Sequence, residues 1–134
     1  MSVPSADSGL HGRIGERAAA RYLFFRFYRI LERNWFFHRK EIDIVARRGH
    51  TLVICEVKTR TRTDDVPSPY GSPSSAVNAA KEQNLLQAAR AYVHASGWTK
   101  HVRMDVIEVY LSPAAPGKVP RVRRIVHIKN AFTA

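Results

Sequence analysis

"EIDIVARRGHTLVICEVKTR", residues 41–60, decides how this chain folds. Residues 41–47 and 51–59 are rich in Ile and Val and read as two strands. Arg48, Gly49 and His50 between them supply a hairpin turn, with Gly49 free to take positive φ. Glu41, Asp43, Glu56 and Lys58 interrupt both strands. Side chains on a strand alternate between faces. Glu41, Asp43 and Val45 are therefore expected on one face, with Ile42 and Ile44 on the other. Ile54, Glu56 and Lys58 share a face of the second strand, and a tight hairpin sets Asp43 opposite Glu56 and Glu41 opposite Lys58.

Two carboxylates held close together repel when both are ionised, and a divalent cation removes that repulsion. Mg²⁺ takes oxygen ligands and keeps several waters, so two carboxylates, a backbone carbonyl and water make a suitable site. A neighbouring lysine can orient water or neutralise charge on a phosphate in the transition state. The pattern D…E-x-K thus carries the groups needed to hydrolyse a phosphodiester. The same pattern also fits a solvated strand face with ion pairs, because antiparallel sheets often keep one polar side.

Working outward, the 134-residue chain has the size of one domain, and 45% hydrophobic residues suffice for an ordinary core. Residues 1–11 lack periodicity and are expected to form a flexible tail, with a single domain over 12–132. No segment approaches the about 20 apolar residues of a membrane span, and the N-terminus does not resemble a secretory signal. Cys55 is the single cysteine and cannot form an internal disulfide. A cytoplasmic protein without membrane contact is expected. Twenty-two Lys and Arg stand against eleven Asp and Glu, a net charge of +11. Such a surface attracts polyanions, of which nucleic acid is the commonest.

Residues 12–27 read as a helix, through Ile14, Ala18, Tyr22 and Phe25 at helical spacing. The crowding of Leu23, Phe24, Phe25 and Phe27 predicts burial of its end on more than one side. Residues 28–36 suit a strand. Residues 60–72 read as a loop, followed by a short helical turn through Val77 that begins at Ser72-Pro73. A longer helix is expected over 81–96, burying Leu85, Leu86, Ala89 and Val93 and stopping at Gly97. Residues 102–110 and 121–128 read as two further strands, the last at an edge because of its charge. The six histidines show no ligand spacing. Trp35, Phe36 and Phe37 are expected to cover the end of the sheet rather than to stack bases. Glu16, at the start of the first helix after Gly15, fits the helix dipole, and fits a site only if that helix packs beside the hairpin.

"GERAAARYL" (15–23), "YRILERNW" (28–35), "EIDIVARRGHTLVICEVKTR", "YGSPSSAV" (70–77) and "NAF" (130–132) together resemble the YraN family of small bacterial proteins related to restriction-endonuclease-like nucleases. The resemblance runs from about Gly12 to Phe132. It implies an α/β protein with a restriction-endonuclease-like core: a mixed sheet of about five strands, in the order αβββαββ, flanked by helices. It also implies a catalytic set of Glu16, Asp43, Glu56 and Lys58, with Asp43, Glu56 and Glu16 as ligands of Mg²⁺ or Mn²⁺. Lys81 matches a recurring basic position at the start of the later helix. The family usually reads G-E-I-D where this chain has Lys40-Glu41-Ile42-Asp43, which changes local geometry but removes no proposed ligand.

The expected activity is hydrolysis of DNA by a metal-dependent endonuclease selecting structure rather than sequence, since nothing resembles a recognition helix. Branched DNA enters by analogy with junction resolvases. Arg13, Arg17, Lys81, Arg121, Arg123 and Arg124 are candidates to grip phosphates. Many enzymes of this architecture cut as dimers, but the sequence carries no sign of an interface. The alternatives are a non-catalytic nucleic-acid-binding module and a small assembly factor for an acidic partner.

Overall fold

A computed structural model describes residues 5–61 and 79–132. The run Leu52–Cys55 is buried throughout, as only a strand covered on both faces requires. It lies in β3 (Thr51–Thr61), the centre of a five-stranded sheet ordered β1-β2-β3-β4-β5. The other strands are β1 (Arg29–Phe37), β2 (Lys40–Arg48), β4 (His101–Leu111) and β5 (Val122–Phe132). All neighbours are antiparallel except β3 and β4, which pair in parallel over their full length, Thr51–His101 to Thr61–Leu111. A parallel pair needs a long crossover, and helix α2 (Ala79–Ser96) lies within it. Helix α1 (Ser5–Phe24) precedes the sheet.

The chain is thus the expected α/β fold with a mixed sheet in the order αβββαββ, and β5 is an edge strand. Helix α1 begins at Ser5, well before residue 12, and ends at Phe24. The loop expected after residue 61, the short helical turn through Val77 and the "YGSPSSAV" motif lie outside the described residues. Among the described residues no helix is long and apolar enough to cross a membrane.

Two cores sandwich the sheet. On one face α2 contributes Leu85, Leu86, Ala88, Ala89 and Tyr92, packed on Ile42, Val45, Leu52 and Ile54. On the other, Ala19 and Leu23 of α1 meet Ile44, Ala46, Val53 and Cys55. Trp35 and Phe37 pack against the α2-side core, but Phe36 between them is exposed. The expected burial of the end of α1 holds only for Leu23, while Phe24, Phe25 and Phe27 are exposed. The chain turns away at Phe24, so the rings that follow have no layer to pack against.

One buried polar cluster stands within the α1 side. Asp105 of β4 is fully buried and accepts hydrogen bonds from Arg103 Nε and Nη2, each at 2.9 Å, and from the Asn130 amide at 3.0 Å. His127 Nε2 lies 2.6 Å from its Oδ2, and Tyr28 accepts from Arg103 at 2.8 Å. Burial alone would raise the pKa of Asp105, but hydrogen bonds from His127, Arg103 and Asn130 outweigh it and hold the carboxyl below its ordinary range.

Candidate active site

The expected hairpin register holds where the ladder exists: Arg48 pairs with Thr51, and pairing runs through to Ile44 with Cys55. There it stops. β3 stays bound to β4 as far as Thr61, whereas the β2–β3 ladder does not reach Asp43 and Glu56. Asp43 Oδ2 instead accepts the backbone N–H of Val57 at 2.8 Å. A side chain has replaced a strand as partner for that amide, and the sheet opens beside it.

The opening also breaks the two-residue alternation. Ile42 joins Val45 in the α2-side core, and Ile44 joins Ala46 on the α1 side. The expected grouping of Ile42 with Ile44 is therefore incorrect. The neighbouring strand is distorted at the same level. Its ladder with β2 passes from Arg33–Ile44 to Trp35–Ile42, and Asn34 between them has φ 53°. Asparagine tolerates that left-handed conformation better than most residues.

Helix α1 reaches this opening because Gly15 has no side chain. A Cβ there would land on the side chain of Thr59 in β3. The close crossing carries Glu16 to the site, where Asn34 Nδ2 donates to Glu16 Oε1 at 3.0 Å and to Glu41 Oε2 at 2.8 Å. Lys58 does not pair with Glu41. Its Nζ lies 3.1 Å from Glu56 Oε1.

Together these groups line an open hollow of about 380 Å³, walled by Glu16, Arg39, Lys40, Glu41, Asp43, Glu56, Lys58 and, from α2, Lys81 and Asn84. The pKa of Asp43 is raised to about 7, first by burial, against the Val57 amide, and further by the charges of Glu16, Glu41 and Glu56. A carboxyl so placed favours either a proton or a cation. Among the described residues no three His, Cys, Asp or Glu side chains converge closely enough to enclose a metal unaided. The donor set fits a hydrated Mg²⁺ or Mn²⁺ held by Asp43 and Glu56, with water and backbone oxygen completing the shell. Asn34 ties Glu16 down beside them.

Glu16, Asp43, Glu56, Lys58 and Lys81 are thus gathered into one place. Arg13 and Arg17 lie on the outer side of α1 in a neighbouring hollow with Arg21 and Val122. Arg121, Arg123 and Arg124 are exposed at the start of the edge strand and line neither hollow, and Arg124 lies 4.6 Å over the Tyr110 ring. Sequence reasoning missed Asn34 and left Glu41 out of the site. An asparagine inside a strand is unfavourable, and that was the available signal.

A mixed sheet that opens at one end to collect carboxylates and a lysine from a helix and two strands defines an α/β protein with a restriction-endonuclease-like core. The chain belongs to the uncharacterised protein family UPF0102, whose model matches residues 15–109, in keeping with the YraN resemblance. It is 40% identical to a UPF0102 protein of Chlorobium chlorochromatii over 132 residues, covering 98% of this chain and 97% of the relative. A UPF0102 protein of Geobacter sulfurreducens is 42% identical over 136 residues, covering 97% of each chain. One from Caldanaerobacter subterraneus subsp. tengcongensis is 38% identical over 122 residues, covering 90% of this chain and 93% of the relative.

Proposed function

We propose that this protein is a divalent-metal-dependent nuclease that hydrolyses DNA phosphodiesters and selects structure over sequence, acting in the cytoplasm. The observation that carries the reading is the meeting of Glu16, Asp43, Glu56 and Lys58 in one open hollow where β2 leaves β3. Asp43 and Glu56 would hold the ion, with Glu16 completing the coordination or bracing it. A bound divalent cation would supply charge neutralisation at the scissile phosphate and acidify a coordinated water.

The chain's own groups account for the rest. The Val57 amide fixes one oxygen of Asp43, which leaves the other to face the hollow. Lys58, paired with Glu56 at 3.1 Å, is positioned to orient the attacking water or to meet charge developing on the phosphate. Lys81 and Arg39 at the rim offer phosphate contacts, which position the substrate without reading its sequence.

The test is incubation of labelled linear and branched DNA with Mg²⁺, Mn²⁺ or EDTA. Cutting that needs metal, disappears in Asp43→Ala and falls roughly 10²–10³-fold in Lys58→Ala is expected. A second reading, a non-catalytic DNA-binding module, draws on the lack of three converging ligand side chains among the described residues. Salt-sensitive retention without cutting under every metal condition would select it.

A further inference from the structure

The end of α1 was expected to be buried, yet Phe24, Phe25 and Phe27 are 64%, 66% and 88% exposed. Three neighbouring phenyl rings left in water forfeit the stabilisation of burial, and a contiguous apolar patch of this kind marks an interaction site. The backbone that carries the rings is held in place. Phe27 N–H donates to Phe24 O at 3.1 Å and Tyr28 N–H to Leu23 O at 3.0 Å. Phe27 itself has φ 68°, a conformation that is costly for a bulky residue and that concentrates at functional positions. Phe24 and Phe25 stand edge to face with centroids 5.5 Å apart, so they present ring faces in different directions.

The exposed surroundings are basic, with Arg26, Arg29 and Arg48 close to the rings. Residues 17–31, 46–53 and 97–103, which build this end of the molecule, contain no Asp or Glu. Arg13, Arg17 and Arg21 recur every four residues along α1, Phe25 continues the spacing one residue past its end, and all four are exposed. They form a ridge about 18 Å long. Arg21 lies 6.0 Å from the Phe25 ring centroid, so the last arginine runs directly into the aromatic tip. Along its length the ridge borders a separate hollow that it shares with Val122 of β5.

A ligand matching this surface needs a linear row of anions and flat apolar faces beside them. Duplex DNA supplies the anions, but its base faces are stacked on one another. An unpaired strand supplies both, and a cationic track with aromatic platforms is how such strands are held. A lipid surface also joins anions to apolar matter, but a single row of arginines along one helical ridge matches a one-dimensional polyanion better than a plane. We propose that the Arg13–Arg17–Arg21 ridge and the Phe24, Phe25 and Phe27 tip bind an unpaired strand of DNA, phosphates on the arginines and bases on the rings. The proposal extends the nuclease reading by naming the single-stranded part of its substrate.

Binding is measured by fluorescence anisotropy in EDTA, so that no cutting is involved, with a short labelled deoxythymidine oligomer and a duplex of equal length. The triple variant Phe24→Ala, Phe25→Ala, Phe27→Ala should lose at least about tenfold in affinity for the oligomer and less than about twofold for the duplex. Phe25→Trp should keep the oligomer affinity, which separates loss of stacking from loss of folding. Equal thermal midpoints of triple variant and parent give a second check. Arg13→Gln, Arg17→Gln, Arg21→Gln should weaken both ligands and flatten the salt dependence. Failure of the parent protein to bind the oligomer, or equal oligomer affinity in parent and triple variant, overturns the proposal. So does an intact oligomer affinity in a triple variant that has lost flotation with phosphatidylserine vesicles or lost self-association on size exclusion. A protein that binds but never cuts refutes the nuclease reading alone, and one that cuts while the triple variant binds normally refutes the strand track alone.

Discussion

Asp43 and Asp105 sit on neighbouring regions of one sheet and meet opposite treatment. Asp105 is fully buried and faces an arginine, a histidine and a backbone amide, which together hold its carboxyl below the ordinary range. Asp43 is half-buried, receives the Val57 amide and is otherwise crowded by Glu16, Glu41 and Glu56, which help raise its pKa to about 7. A carboxylate whose partners are all supplied belongs to the structure. One whose neighbours repel it raises the free energy of the fold and leaves a standing demand for positive charge. One region is satisfied by its own partners, and the other is not.

The comparison breaks most visibly at Asp105. Asp105→Ala removes the acceptor of the partly buried Arg103 and the partner of His127 and should lower stability by about 2–3 kcal/mol in urea unfolding. An effect below about 1 kcal/mol would mean that the network is not what ties β5 to β4. Asp43→Asn should act in the opposite direction, raising the stability of metal-free protein at pH 8 by about 2 kcal/mol because a repelled charge is removed. If it destabilises instead, the crowding of acids is already relieved in solution.

The pH dependence sharpens the contrast. The folded pKa of Asp43, about 7, exceeds its ordinary value of 3.8. The folded chain therefore binds more protons than the unfolded chain between about pH 4 and 7, and stability declines as pH rises through that window. The folded pKa of Asp105 is lowered, so its contribution is present above about pH 4 and is lost on further acidification. Urea midpoints of Asp43→Asn across the same range should show the acid limb and lack the decline toward neutrality.

Two smaller effects concern how the repelling cluster is assembled. Gly15→Ala drives a methyl into Thr59 and should cost about 1–3 kcal/mol while pushing Glu16 off the site. Adding Thr59→Ala should recover part of that loss if the crossing is the cause. Asn34→Ala removes the amide shared by Glu16 and Glu41 and should change stability by about 1 kcal/mol or less. Its clearer mark should be a metal affinity, followed by calorimetry, that drops while the urea midpoint hardly moves.

Much of this was legible in residues 41–60. Strand hydrophobicity and Gly49 set the hairpin, and its register follows from the short turn, as the Ile44–Cys55 pair shows. The buried face of α2 was readable through Leu85, Leu86 and Ala89, because helical spacing leaves little choice. What could not be read is where regularity stops. The ladder ends before Asp43 because a side chain competes for the Val57 amide, and period-two reasoning assumes no such competitor. The exposure of Phe24, Phe25 and Phe27 was illegible for a related reason. Composition says that phenylalanine prefers burial, but only the path of the chain beyond Phe24 decides whether anything lies above it.

The unbroken pairing of β3 with β4 has a consequence in time. Glu16, Asp43, Glu56 and Lys58 all precede residue 60, while the strand that braces β3 on its far side is made from His101–Leu111. During synthesis the chain displays these four side chains tens of residues before their scaffold exists. A truncated product ending ahead of His101 would hold all four and lack the strand that β3 pairs with while β2 departs, which ties the hollow's geometry to completion of the chain.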